Sequence, residues 1–246
     1  MKKIILLFAL LPVLGKSQSL IGGKNIVKAN LSSLAFGNYH ATFERSILKK
    51  MSLSVSYRYG AKKALPIQET VSKYFDDPNL NLGRFELGNS AITPELRLYL
   101  GLGKMKGFYI APYARFATFD FTMPIKYSTP LGVKDADFVG KIKSTSGGLM
   151  FGTQYQILKK LVLDIWIVGG HYGSSSGDLL ATFPTPLKSD LTNNEQKSLQ
   201  DAINSLDLSP FKVKGTVAAD GRSATLISDG PWAGVRALGF SLGLRF

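Results

Sequence analysis

The sequence predicts an all-β fold: an eight-stranded antiparallel up-and-down transmembrane β-barrel with long extracellular loops. Three observations predict it. Residues 233–246 alternate between an apolar face and a face of small and charged residues, and finish on an aromatic. Seven earlier segments alternate with the same period, joined by connections that are short at one end and mostly long at the other. The chain starts with a basic pair and a short apolar stretch, yet holds no uninterrupted apolar run near the ~20 residues of a membrane-crossing helix.

At the amino end, Met1-Lys2-Lys3 precedes a continuous apolar stretch from Ile4 to Leu14. Gly15 and Ser17 place small residues at −3 and −1 of a cleavage before Gln18, so residues 1–17 read as a signal peptide and 18–246 as the mature domain. The chain has no cysteine, which excludes disulfides and a lipid-anchored amino-terminal cysteine. A periplasmic, secreted or outer-membrane protein remains. Loss of residues 1–17, with Lys2, Lys3 and Lys16, lowers the formal net charge from +13 to +10. The remaining lysines and arginines are scattered and form no stripe, which argues against nucleic acid as a partner. Outer-membrane lipid headgroups and lipopolysaccharide phosphates are the expected counter-charges. Mean hydropathy is near zero, because alternation cancels in a window average.

The first segment spans about 25–36 and the second about 38–47. The third, about 51–60, sets the register: Leu53, Val55, Tyr57 and Tyr59 point one way, Ser52, Ser54, Ser56 and Arg58 the other. The fourth, about 91–100, repeats it, with Leu96, Leu98 and Leu100 against Thr93, Glu95, Arg97 and Tyr99. The fifth spans about 107–119, the sixth about 142–157 and the seventh about 161–172. In the eighth, 233–246, Leu238, Phe240, Leu242, Leu244 and Phe246 oppose Ala237, Gly239, Ser241, Gly243 and Arg245. Most match the ~9–11 residues of a tilted membrane strand. Connections at 48–50, 101–106 and 158–160 are short, whereas 61–90, 120–141 and 173–232 are long; the turn at Gly37 is short on the long-loop side. Short periplasmic turns and long outer loops characterise outer-membrane barrels, and an even strand number places both termini in the periplasm. A secreted β-sandwich is the alternative, but it gives no reason for loop length to alternate.

With the apolar face turned to lipid, Lys28, Glu44, Arg58, Glu95, Arg97, Arg115, Asp164 and Arg245 point into the lumen as a charge network, together with Trp166 and Tyr99. Lys28, Glu44, Arg97 and Asp164 sit low and Arg58, Glu95 and Arg115 near mid-height; opposite charges at similar depth are expected to pair, since isolated ones are costly to desolvate. Eight strands enclose about the space that side chains fill, so a polar plug is expected, with no pore and no acid–base catalysis. Lys49, Lys50, Lys104, Lys106, Lys159 and Lys160 form a basic ring on the short turns, anchoring to headgroups or meeting an acidic periplasmic protein.

In the longest loop, Thr192 and Glu195 have capping-box spacing ahead of Leu199, Ala202, Ile203 and Leu206 at helical spacing. Asp220-Gly221 lies between two short β-type runs, Lys212 to Val217 and Ala224 to Ile227, as in a hairpin. This loop reads as a cap over the barrel mouth or as a docking surface.

The signal sequence, the eight segments and the terminal Phe246 resemble the small eight-stranded outer-membrane barrels typified by OmpX and the OmpA membrane domain. The stretches NIVKANLSSLAFGNYHATFER and ITPELRLYL resemble an uncharacterised family of such barrels common in Bacteroidota. That resemblance makes Phe240, Leu242, Leu244 and Phe246 the assembly signal for the barrel-insertion machinery, with Ser241 where the motif usually has glycine. Some barrels of this class edit lipid A with His and Ser. Here the candidates are His40 and His171, the latter followed by Ser174, Ser175, Ser176 and Asp178. No cofactor or metal motif is present in the sequence. The expected role is a structural or accessory subunit of a larger outer-membrane assembly, contacted through 173–232. A rim enzyme acting on lipid and a small-solute channel are the alternatives.

Overall fold

Alternation with period two builds most of the described chain. The computed structural model describes residues 23–64, 77–101, 104–183 and 190–246. Its strands are β1 (Asn25–Asn30), β2 (Asn38–Leu48), β3 (Met51–Ala64), β4 (Glu86–Tyr99), β5 (Gly107–Thr129), β6 (Gly132–Gln156), β7 (Leu161–Thr182), β8 (Lys212–Val217) and β9 (Ser223–Arg245). Two α-helices accompany them, α1 (Leu31–Ala35) and α2 (Asn193–Asn204). The predicted signal peptide lies outside the described residues, as does part of the predicted loop 61–90.

All nine strands join one antiparallel sheet in the order β1-β2-β3-β4-β5-β6-β7-β9-β8, and β9 also pairs with β1. The sheet therefore closes in a ring of eight strands, with β8 added beside the upper half of β9. Closure runs from Ile26↔Arg245 to Asn30↔Ser241, and Phe246 exchanges both backbone hydrogen bonds with Asn25 (2.9 and 3.0 Å).

The register follows the expected faces. In β3, Ser52, Ser54 and Ser56 are buried inside the ring while Leu53, Val55, Tyr57 and Tyr59 are 43–51% exposed on its outer surface. In β4, Thr93, Glu95, Arg97 and Tyr99 are buried and Leu98 is exposed, as is Leu100 just beyond its end. Phe43, Phe108, Phe116, Leu149, Phe151, Phe240, Leu242 and Leu244 continue the exposed apolar surface around the ring. No described helix is long and apolar enough to cross a membrane, which says nothing of strands.

Three features differ from expectation. Residues 120–141 and much of 173–232 are strand, not loop. β5, β6, β7 and β9 run 22–25 residues, against 6–14 for β1 to β4. At ~3.3 Å per residue, one side of the wall rises well beyond the other. Alternation persists there because Met123, Ile125, Tyr127, Ala136, Phe138, Leu179 and Leu226 bury against Leu199, Ala202 and Ile203 of α2. The α2 start is as expected: the Glu195 carboxylate accepts from the Thr192 N–H (3.0 Å) and hydroxyl (2.8 Å). The expected hairpin is β8 with the start of β9, turning at Gly221 with φ +71°.

The first predicted strand stops at Asn30, whose side chain accepts from the Ser33 N–H at 2.7 Å and donates to the Ser241 hydroxyl at 2.9 Å. An N-cap of this kind diverts the chain into α1. Finally, the alternation of the last strand slips: Leu238 has φ +49°, and Ala237 and Leu238 are both exposed, so Ala237 does not share the inner face of Gly239.

Candidate functional site

The lower interior is a closed network. Lys28 Nζ bonds Glu44 Oε2 at 2.7 Å, Gln154 Oε1 at 2.9 Å and also Asp164 Oδ2. Arg97 Nη1 reaches Asp164 Oδ2 at 2.6 Å and Glu44 at 3.4 Å, and its Nε and Nη2 grip Glu95 at 3.1 and 2.9 Å. Tyr99 donates to Glu44 at 2.6 Å and Tyr109 to Asp164 at 2.8 Å. Each of these residues is at most 2% exposed. Charges buried this deeply persist only when paired and hydrogen-bonded, and every carboxylate here has at least two donors. Beneath them, Met105 is buried and its carbonyl accepts from Gln154 Nε2 at 2.9 Å, closing the ring toward the short turns.

Arg236 completes this layer. Its Nη1 lies 3.1 Å from Glu95 Oε1, and its guanidinium stacks 4.4 Å over Trp166 and 5.0 Å over Tyr113. A strict period of two puts Arg236 on the apolar face with Leu238. The left-handed Leu238 reverses the alternation and turns Arg236 inward, so sequence alone misses it. Gln154 and Tyr109 also escape a search for charge, although both fall on inner positions of their strands. Close glycines make room for these rings: a Cβ at Gly152 would sit 2.4 Å from Tyr109, and one at Gly239 2.4 Å from Trp166.

Arg58 and Arg115 do point inward but into a separate chamber. Neither meets a carboxylate among the described residues; Arg115 donates to Thr93 Oγ1 at 3.3 Å. His40 and His171 share the chamber, His40 tilted against Trp166 at 5.1 Å. His171 Nδ1 lies 2.9 Å from Ser146 Oγ. Thus Ser146, from β6, is its serine partner, and Ser174, Ser175, Ser176 and Asp178 run on along β7 away from it. Its Nε2 faces Gly234, and no third orienting group is seen there among the described residues.

Arg245 stands apart from the network. Its Nε donates to Gly23 O at 2.6 Å and Nη1 to Gln156 at 3.2 Å, at the short-turn end. Lys49, Lys50, Lys104, Lys106, Lys159 and Lys160 are all exposed at that same end. At the opposite, extended end, an apolar cavity of about 420 Å³ is walled by Phe85, Phe119, Phe121, Phe211, Trp232 and aliphatic neighbours. Among the described residues no His, Asp and Glu cluster is arranged for a metal ion.

Residues 4–182 match the protein family described as Protein of unknown function (DUF3575). The chain belongs to this family. No curated protein and no solved structure matches it. The matched span takes in β1 to β7, with Lys28, Glu44, Glu95, Arg97 and Asp164.

Proposed function

We propose that this chain is an eight-stranded outer-membrane β-barrel of the OmpX class, with a plugged lumen and both termini in the periplasm. It acts as a structural or accessory subunit of a larger outer-membrane assembly. The observation that carries the plugged lumen is the buried Lys28–Glu44–Arg97–Asp164–Gln154 network, which leaves the lower ring filled by side chains. The apolar outer surface supports a lipid environment, because a contiguous exposed patch of this size is rare on a soluble monomer. Loop asymmetry supports the orientation. Basic turns then face periplasmic headgroups, and the carboxyl-terminal Phe240, Leu242, Leu244 and Phe246 serve the barrel-insertion machinery.

The docking surface is the extended end within 173–232, formed by α2, β8 and the upper parts of β7 and β9. Its own apolar core makes it a rigid platform, and such platforms commonly carry binding. In planar bilayers the purified protein should give no steady conductance. Mild-detergent pulldown of the native protein should bring down a larger outer-membrane complex, and exchanging α2 for a flexible linker should release it. Stable ion-conducting steps would overturn the plug; a pulldown without a complex would overturn the accessory role.

A lipid-modifying enzyme is the second reading, favoured by the Ser146–His171 contact. Among the described residues no acid orients the histidine. Lipid A mass spectra of a deletion strain should therefore match those of the parent.

A further inference from the structure

We infer that the chamber above the plug is a binding site for the phosphate of an outer-leaflet lipid, reached sideways through the wall between α1 and β9. The inference rests on the membrane reading above.

The wall has a breach. β1 leaves β9 at Ser241 and β8 joins it at Asp229, so residues 230–240 of β9 have no strand partner on that edge among the described residues. Among the described residues, Phe211 packs against its upper end at Gly230 and Trp232 and α1 stands against its lower end: Ser32 Oγ accepts from Phe240 N at 3.0 Å and donates to Leu238 O at 3.4 Å. A cavity of about 250 Å³ is lined on one side by Val235 and Leu238, which are 78% and 69% exposed on the outer face. On the other side it is lined by the inward Arg236 and Gly239. The lining of this cavity thus takes in residues from both faces of one strand.

Inside, charge and hydrogen bonding are both unbalanced. Three cations, Arg58, Arg115 and Arg236, line the chamber and no carboxylate among the described residues does; Arg236 is paired with Glu95 of the network below, which leaves the other two without an acid. Both ring nitrogens of His40, Arg58 Nε, Trp166 Nε1 and Arg236 Nη2 are buried without a hydrogen-bond partner among the described residues, and all four residues line this one cavity. His40 and Trp166 are only 6% and 7% exposed. A phosphate monoester carries about −1.5 to −2 at neutral pH and three acceptor oxygens, matching both deficits. Guanidinium groups recognise such oxygens in pairs. The outer rim of the breach is apolar, with Phe36, Val235 and Leu238, so acyl chains stay in lipid while the phosphate turns inward. The height fits too: exposed Tyr39, Tyr59 and Tyr172 cluster at this level, as interfacial aromatics do.

The test uses the full mature chain in nanodiscs of phosphatidylcholine containing phosphatidic acid, with lipid retention read by native mass spectrometry. One phosphatidic acid should remain on the wild type. Arg58→Gln with Arg115→Gln should weaken retention by roughly tenfold or more, whereas Lys49→Gln with Lys50→Gln should not. In a Trp232→Phe background, inorganic phosphate added to phosphatidylcholine nanodiscs should leave Trp166 fluorescence unchanged. A phosphate response without lipid retention would assign the site to a free anion and overturn the lipid source. Equal retention by the double arginine variant, with its heat-modifiable gel shift intact, would overturn the site. Failure of the wild type to co-elute with nanodiscs would instead overturn the membrane reading.

Discussion

Arg97 of β4 and Lys28 of β1 meet on one oxygen of Asp164, a carboxylate carried by β7. The three strands pair with one another nowhere in the sheet, so this contact ties the ring together through its interior. Tyr109 occupies the second oxygen at 2.8 Å. A carboxylate with three donors and two cations is stable where it stands and costly to strip.

Arg97→Leu removes the guanidinium that Glu95, Glu44 and Asp164 share. Breaking a buried pair typically costs ~3–5 kcal/mol, so the heat-modifiable gel shift should move to clearly lower temperature. Arg245→Leu, at the short-turn end, should move it little. Equal effects would mean that the inner network does not hold the ring.

Val55→Arg separates a lipid-facing from a water-facing outer surface. Val55 is 43% exposed between Phe43 and Pro94. In a bilayer the substitution should cost ~2–4 kcal/mol near midplane; on a solvated surface it should stay within ~0.5 kcal/mol. Urea unfolding in vesicles reads the difference.

Gly239→Ala drives a methyl group toward Trp166, 2.4 Å from the indole. Over-filling of this kind costs ~1–3 kcal/mol, and the ring must shift against the Arg236 guanidinium stacked on it. A change in near-UV circular dichroism is expected, and an unchanged spectrum would contradict the packing of Trp166.

Leu199→Ala hollows the extended end, where Leu199 is fully buried. The expected loss is ~2–5 kcal/mol, confined to α2 and its sheet. Limited proteolysis should then cut within 190–217 while the heat-modifiable ring persists.

An epitope inserted near Asn193 should bind antibody on intact cells, and one between Lys159 and Lys160 should not. The reverse pattern would invert the proposed orientation.

Much was legible in the sequence. Side-chain alternation is a local property of extended backbone, so the faces of β3 and β4, the inward positions of Lys28, Glu44, Arg97 and Asp164, and the α2 start could be read directly. Which charges touch was harder: depth pairs Arg97 with Glu44, a contact of 3.4 Å, whereas its closer contact with Asp164 at 2.6 Å, and that of Lys28 with Asp164, need the closed ring. The place where β5 and β6 leave the apolar zone was not legible, because their alternation continues unchanged and only burial against α2 distinguishes the upper part. Arg236 was lost for a local reason with a tertiary cause. The left-handed Leu238 turns it inward opposite Trp166 and Glu95, and only the closed ring supplies the partners that make this worthwhile. By itself the sequence determined the strand period, most of the faces and the positions of the short turns, since these depend on neighbours along the chain. The tertiary structure decided where β1 gives way to α1, where the wall is breached and which buried arginines go unpaired, since these depend on groups 100 or more residues away in sequence.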